Sequence, residues 1–146
     1  MRKLPILVAA TLALAASGEA LAADPARNVT IYKSPQCGCC DEHAEHLRGS
    51  GFEVTVKSSD DVVAMSRAAG IPDALQGCHL SLIDGYAVSG HVPVGIIERL
   101  LAERPTIKGI TLPGMPMGSP GMPGPKQEPF TIYAVGKGPP MVYAVE

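Results

Sequence analysis

The 146-residue chain has no tryptophan, two phenylalanines and four tyrosines, and its 12 Lys and Arg are outnumbered by 14 Asp and Glu. Without a basic excess or a cluster of exposed-type aromatics there is no electrostatic footprint for nucleic acid, and none for an anionic membrane surface. Beyond the first 22 residues no apolar run approaches the roughly 20 residues that span a bilayer, so no membrane anchor is expected. No cysteine stands near the N-terminal apolar stretch, which excludes a lipid-anchored cleavage product.

What is present at the N-terminus is a leader. Met1-Arg2-Lys3 supplies positive charge, Leu4 to Ala16 an apolar stretch without an acidic residue, and Ala20-Leu21-Ala22 an A-x-A cleavage pattern. Residues 1–22 are therefore read as a signal peptide cleaved after Ala22, or alternatively after Ala23, and 23–146 as one exported, periplasmic domain.

An exported chain with four cysteines ordinarily carries two stapling disulfides. Here Cys37, Cys39 and Cys40 are crowded into four residues and Cys78 lies far away. Adjacent Cys39 and Cys40 cannot pair without severe strain. The spacing favours a site over a framework.

Val29-Thr30-Ile31-Tyr32 reads as a buried strand ended by Ser34-Pro35, and Cys39 to Arg48 as a helix burying Cys40, Ala44 and Leu47. Phe52 to Val56 is a second strand, and Asp61 to Ala69 a helix capped by Ser59 or Asp60. Cys78 to Ile83 and Tyr86 to Ser89 form a hairpin about Asp84-Gly85, followed by an amphipathic helix from Val94 to Glu103. This order, β-α-β-α-β-β-α, is that of a thioredoxin-like α/β domain. Residues 113–125 contain only Pro, Gly, Met and Ser, which exclude helix and central strand alike. Phe130 to Val135 and Met141 to Val145 read as a C-terminal β-hairpin that rejoins the sheet or packs beside it.

Cys37 and Cys40 make a C-x-x-C pair at a strand-to-helix turn, where the helix N-terminus favours thiolate over thiol. A plain dithiol needs no third thiol, yet Cys39 sits between the two. If the third strand begins beside the turn, Cys78 adds a fourth sulfur. Four thiolates at one place repel one another unless protonated, oxidised or neutralised by a cation, and thiolates with thioethers nearby suit copper(I) better than zinc. Strand alternation would turn His79 away from Cys78, so His91 and His46 are preferred as nitrogen donors. His43 and His79, with Met115, Met117 and Met122 of the Pro/Gly/Met segment, are further candidates. The methionines serve equally as apolar anchors for the loop.

Ser34-Pro35-Gln36-Cys37-Gly38-Cys39-Cys40, His46-Leu47, Gly51-Phe52-Glu53-Val54, Cys78-His79, Gly90-His91-Val92-Pro93 and residues 114–122 together resemble the CopG-type family of periplasmic metal-binding proteins. That family is unrelated to the ribbon-helix-helix repressors sharing the label. The resemblance runs from about Val29 to the C-terminus. It implies a thioredoxin-like fold, a copper site made from Cys37, Cys39, Cys40 and Cys78 with His91 and His46 close by, and a role in copper resistance beside efflux or chaperone proteins. One departure is His43, where members of the family often carry tryptophan. Two rival readings stand beside copper binding: a thiol-disulfide oxidoreductase with Cys37 as nucleophile and Cys40 as resolving thiol, and an adaptor held by structural zinc or disulfides.

Overall fold

The computed structural model describes residues 27–146; the leader and cleavage site expected from the sequence lie outside the described residues. The elements are β1 (Asn28–Lys33), α1 (Gly38–Gly49), β2 (Glu53–Ser58), α2 (Val62–Ala68), β3 (His79–Ile83), β4 (Tyr86–Ser89), α3 (Val94–Glu103), β5 (Gly109–Thr111), β6 (Thr131–Gly136) and β7 (Gly138–Val145), with a short 3-10 turn at Asp73–Leu75 between α2 and β3. They build an α/β domain on one seven-stranded sheet of order β2-β1-β3-β4-β5-β6-β7.

β1 pairs parallel with β2 and antiparallel with β3. β3 and β4 form the expected hairpin, whose Asp84 and Gly85 both take positive φ, 46° and 83°, as a tight two-residue turn requires. β5 is an addition that sequence reading did not anticipate. Gly109-Ile110-Thr111 is too short to alternate visibly, but it lies parallel to β4 and its three residues are buried. Through β5 the C-terminal hairpin β6-β7 joins the main sheet, settling the choice left open by the sequence.

The sheet has a core on each face. On one, α1 and α3 bury Ala44, Leu47, Ile97 and Leu100 against Val29, Ile31, Val88, Ile110 and Ile132. On the other, Val62 of α2 and Ile71 pack on Leu80, Ala87 and Val135. α1 forms as its sequence implies, with Cys40, His43, Ala44 and Leu47 as the buried stripe and Asp41, Glu42 and Glu45 exposed. α2 begins one residue later than expected, after Asp61. No side chain caps its amides; the Ser59 hydroxyl instead accepts the Asp61 N–H at 3.1 Å. β3 also starts late, at His79, so Cys78 lies just outside the strand.

Two glycines have opposite environments. A Cβ on Gly109 would stand 1.8 Å from the Ala87 carbonyl oxygen, whereas one on Gly95, in the first turn of α3, meets nothing within 4 Å. Gly109→Ala is expected to destabilise the protein by about 1–3 kcal/mol or more. Gly95→Ala should stabilise it by up to about 1 kcal/mol. Urea unfolding midpoints of the two variants should move in opposite directions.

Candidate metal and thiol centre

Register assembles the site. Lys33, the last residue of β1, faces His79, the first of β3. The turn after β1, carrying Cys37 to Cys40, therefore lies beside Cys78. In the β3-β4 hairpin Leu80 faces Ser89, and Gly90 N–H donates to the His79 carbonyl at 3.0 Å, which sets His91 next to Cys78 and His79. Gly77 and Gly90 touch so closely that a Cβ on Gly77 would lie 2.2 Å from Gly90 Cα.

The sulfurs of Cys37, Cys39, Cys40 and Cys78 lie within 4.8 Å of one another. Cys37 and Cys40 are joined as a disulfide, with Cα atoms 5.5 Å apart, while Cys39 and Cys78 are free. Cys39 Sγ is 3.5 Å from Cys37 Sγ, and Cys78 Sγ is 3.4 Å from Cys40 Sγ. Met115 Sδ stands 3.9 Å from Cys39 Sγ. Met117 is exposed, and Met122 lies in a surface groove of about 540 Å³ with Glu42, Glu45, His46 and Gly121. Of the three methionines, Met115 is the one brought to a cysteine sulfur.

The histidines are arranged differently from the expectation. His43, His79 and His91 are fully buried, their ring centroids 4.9, 5.1 and 5.0 Å apart. His46 is exposed and stands outside both groups of clustered donors. His79 approaches Cys78 after all: its Nδ1 is 3.4 Å from Cys78 Sγ. The alternation argument failed because Cys78 precedes the pleated strand, so the two residues are not bound to opposite faces. His91 Nε2 is nearer still, 2.9 Å from Cys78 Sγ. Cys40, Cys78, His79 and His91 thus form a second donor group, again within 4.8 Å.

The Pro/Gly/Met segment closes over this cluster. A Cβ on Gly121, at φ 89°, would come within 2.6 Å of the His43 backbone nitrogen and 2.9 Å of the Cys39 oxygen. Only a residue without one lets the loop lie so close to α1. That contact places the Pro120 carbonyl to accept Nδ1–H bonds from both His43, at 3.0 Å, and His91, at 2.7 Å. Because a carbonyl can only accept, both rings carry their proton on Nδ1 and leave Nε2 bare. The Nε2 atoms of His43 and His79 have no partner.

Burial keeps these imidazoles uncharged. His43 is brought down to about 4, first by desolvation and then by its neighbour His91. Desolvation likewise lowers His79 well below the ordinary histidine value, and it lowers His91. Cys78 is pushed up to about 12, by burial first and by the nearby Cys39 next, so it is a thiol until a cation replaces its proton.

Lys33 is a site residue that sequence reading missed. It is 5% exposed, and its ammonium donates to the Cys37 carbonyl at 3.1 Å and pairs with Asp41 at 2.9 Å. Cys37 is the N-cap of α1 and makes no side-chain cap bond, so the lysine holds the cysteine turn from beneath. The inward alternation of Val29 and Ile31 continues to position 33, and that is the signal which would have found it.

Four sulfurs and two imidazole nitrogens gathered beside one helix N-terminus are a donor set that could hold a soft metal ion. Residues 75–122 match a family described as a protein of unknown function, DUF411. No curated protein matches the sequence. Two solved structures are similar along most of the chain, both of copper resistance protein CopG, in forms 1 and 2. Each is 36% identical, with TM-scores of 0.75 and 0.76, covering 82% of this chain and 96% and 97% of theirs. The chain belongs to the CopG family of copper resistance proteins. Among the described residues no helix is long and apolar enough to cross a membrane.

The lowered histidines make stability pH-dependent. The unfolded chain binds a proton at His43 below about 6.5, while the folded protein does not until about 4, so stability is complete above pH 6.5 and falls as pH drops through that window. His43 alone accounts for on the order of 3 kcal/mol of loss, and His79 and His91 act in the same direction. Urea midpoints of the metal-free protein should decline between about pH 7 and pH 5, above most carboxylate titration. A flat profile there would mean that the rings protonate as readily folded as unfolded.

Proposed function

We propose that this protein is an exported, periplasmic copper-binding protein of copper resistance, synthesised with residues 1–22 as its leader and working as one thioredoxin-like domain. In its reduced form it binds copper(I) through Cys37, Cys39, Cys40 and Cys78, with His91 alongside. The observation that carries this reading is the meeting of four cysteine sulfurs within 4.8 Å. Such a cluster cannot carry four thiolate charges without a cation among them, and thiolate-rich sites with a thioether at hand, here Met115 at 3.9 Å from Cys39, select copper(I). That the two similar structures are of a copper resistance protein supports the same conclusion.

The disulfide gives the site a redox character. Opening Cys37–Cys40 takes two electrons and two protons and restores two thiols. Two copper(I) ions oxidised to copper(II) supply those electrons, so the site is able to cycle copper between oxidation states while it stores the metal or hands it to efflux or chaperone proteins. Cys39, part exposed beside Met115, is the free sulfur at which arriving copper is first met.

A second reading is favoured by one observation, the Cys37–Cys40 disulfide itself. It makes the protein a thiol-disulfide oxidoreductase in which Cys37 attacks and Cys40 resolves. Cys39 and Cys78 then have no catalytic task.

Metal analysis separates the two readings. Protein exported to the periplasm of copper-fed cells and purified without air should carry at least one copper per chain, and Cys39→Ser should lose most of it. Metal-free protein with the disulfide in place, reducing insulin equally well with and without Cys39→Ser, would overturn copper binding in favour of the oxidoreductase.

A further inference from the structure

Lys33 is a buried cation that the proposed chemistry leaves without a task. Three oxygens hold its ammonium: Asp41 Oδ2 at 2.9 Å, the Cys37 carbonyl at 3.1 Å and the Ser34 carbonyl at 3.5 Å. The lysine is buried, whereas the Asp41 side chain is 56% exposed. Water therefore reaches the anion of the pair and not the cation.

Neither packing nor stability accounts for a lysine there. Desolvating a charge is costly, and an apolar side chain of similar volume in place of a buried ion-pair member is often neutral or stabilising when both partners are replaced. β1 supplies such side chains at its two preceding inward positions, Val29 and Ile31. The sign of the charge is also against expectation. Cys37 is the N-cap of α1, and a helix N-terminus, itself positive, favours anions over cations. Lys33 adds positive charge where the backbone already provides it. A cysteine sulfur that turns negative at that place gains from both.

The Cys37–Cys40 disulfide stands at that N-terminus. Its reduction by a small thiol takes two exchanges. The first thiolate bonds to one sulfur of the pair and expels the other as a thiolate; a second thiol then displaces the first as a small disulfide. The small thiols give up two electrons and two protons. Cys37 and Cys40 receive the electrons, and a proton that a cysteine sulfur does not keep passes to solvent. A disulfide bears no charge and the expelled sulfur does, so a fixed cation beneath the turn favours the opened side.

We propose that Lys33 poises the Cys37–Cys40 disulfide for reduction: its charge stabilises the sulfur anion formed on opening, and Asp41 sets how much of that charge the sulfurs feel. Lys33 acts from the Cys37 carbonyl and is a positioning residue. It has this role only if the disulfide opens and closes in use, as the redox character proposed for the site requires.

The test is the balance of the disulfide with glutathione, and with dithiothreitol for the more reducing range, near neutral pH in chelator-treated protein. Differential alkylation of Cys37 and Cys40, mapped by mass spectrometry, reads it. Lys33→Met should move the equilibrium about tenfold toward the disulfide, or about 30 mV for a two-electron couple. Asp41→Asn unmasks the ammonium while the two carbonyls still hold it, and should move the equilibrium severalfold toward the dithiol. A lysine that only clamps the turn loses the same ion pair in both variants and shifts both in one direction. Shifts of the same sign, or no shift in either variant, would overturn the proposal. Should Lys33→Met fold poorly, the sign for Asp41→Asn, changed at a largely exposed side chain, decides alone. An unsubstituted protein whose disulfide neither thiol opens overturns the redox reading of the site and the role of Lys33 with it. One that titrates normally beside variants whose equilibria do not separate overturns the role of Lys33 and leaves the redox reading standing.

Discussion

The pairing of Lys33 with His79 across β1 and β3 is the constraint from which the site follows. Strand side chains alternate, so a slip of one residue would exchange inward and outward faces along β1. It would remove Val29 and Ile31 from the core and carry the Cys37 turn away from Cys78. The hydrophobic core that stabilises the sheet is thereby also what holds the register of the sulfur cluster. Fold stability and site geometry are one quantity here.

Charge is the second constraint. The donors around Cys78 are held uncharged: its own thiol is kept protonated by burial, and three imidazoles are kept neutral by desolvation, His43 and His79 also by their histidine neighbours. The buried cation beneath the cysteine turn, Lys33, is already committed to Asp41 and to the Cys37 carbonyl. Neutral sulfur and nitrogen lone pairs gathered around one thiol are donors for a positive ion, and each proton lost on binding lowers the electrostatic cost of admitting one. The Pro120 carbonyl keeps the arrangement from relaxing by taking both Nδ1–H donors, so the bare nitrogens stay turned inward.

Much of this was legible in the sequence because it rests on local pattern. Strands β1 to β4 and the three helices follow from alternation and helical spacing, and the strand-to-helix position of the C-x-x-C pair from Ser34-Pro35. The unread parts are those with no local signature. β5 has three residues, and its strand character comes from pairing with β4 alone. His79 was turned the wrong way because the pleat was extended back to Cys78, whereas Gly77 leaves the ladder to donate its N–H to the Ser89 hydroxyl at 2.9 Å. The sequence favours His46 over His43 as a donor, yet the buried stripe of α1 takes in His43 and leaves His46 in solvent. The Pro120 carbonyl is a backbone atom of a segment whose composition announces a loop but not where that loop docks.

The two donor groups share Cys40 and Cys78, and Cys40 is one end of the disulfide. Reduction adds two sulfurs to the cluster and shifts the donor set toward soft ions. Oxidation withdraws them and leaves Cys39 and Cys78 as the free thiols. In such a site the oxidation state of the thiols and that of the metal are linked by thermodynamics. Copper(I) binding stabilises the open dithiol, because it uses sulfurs that the disulfide withholds, and so opposes the passage of its own electrons to that disulfide.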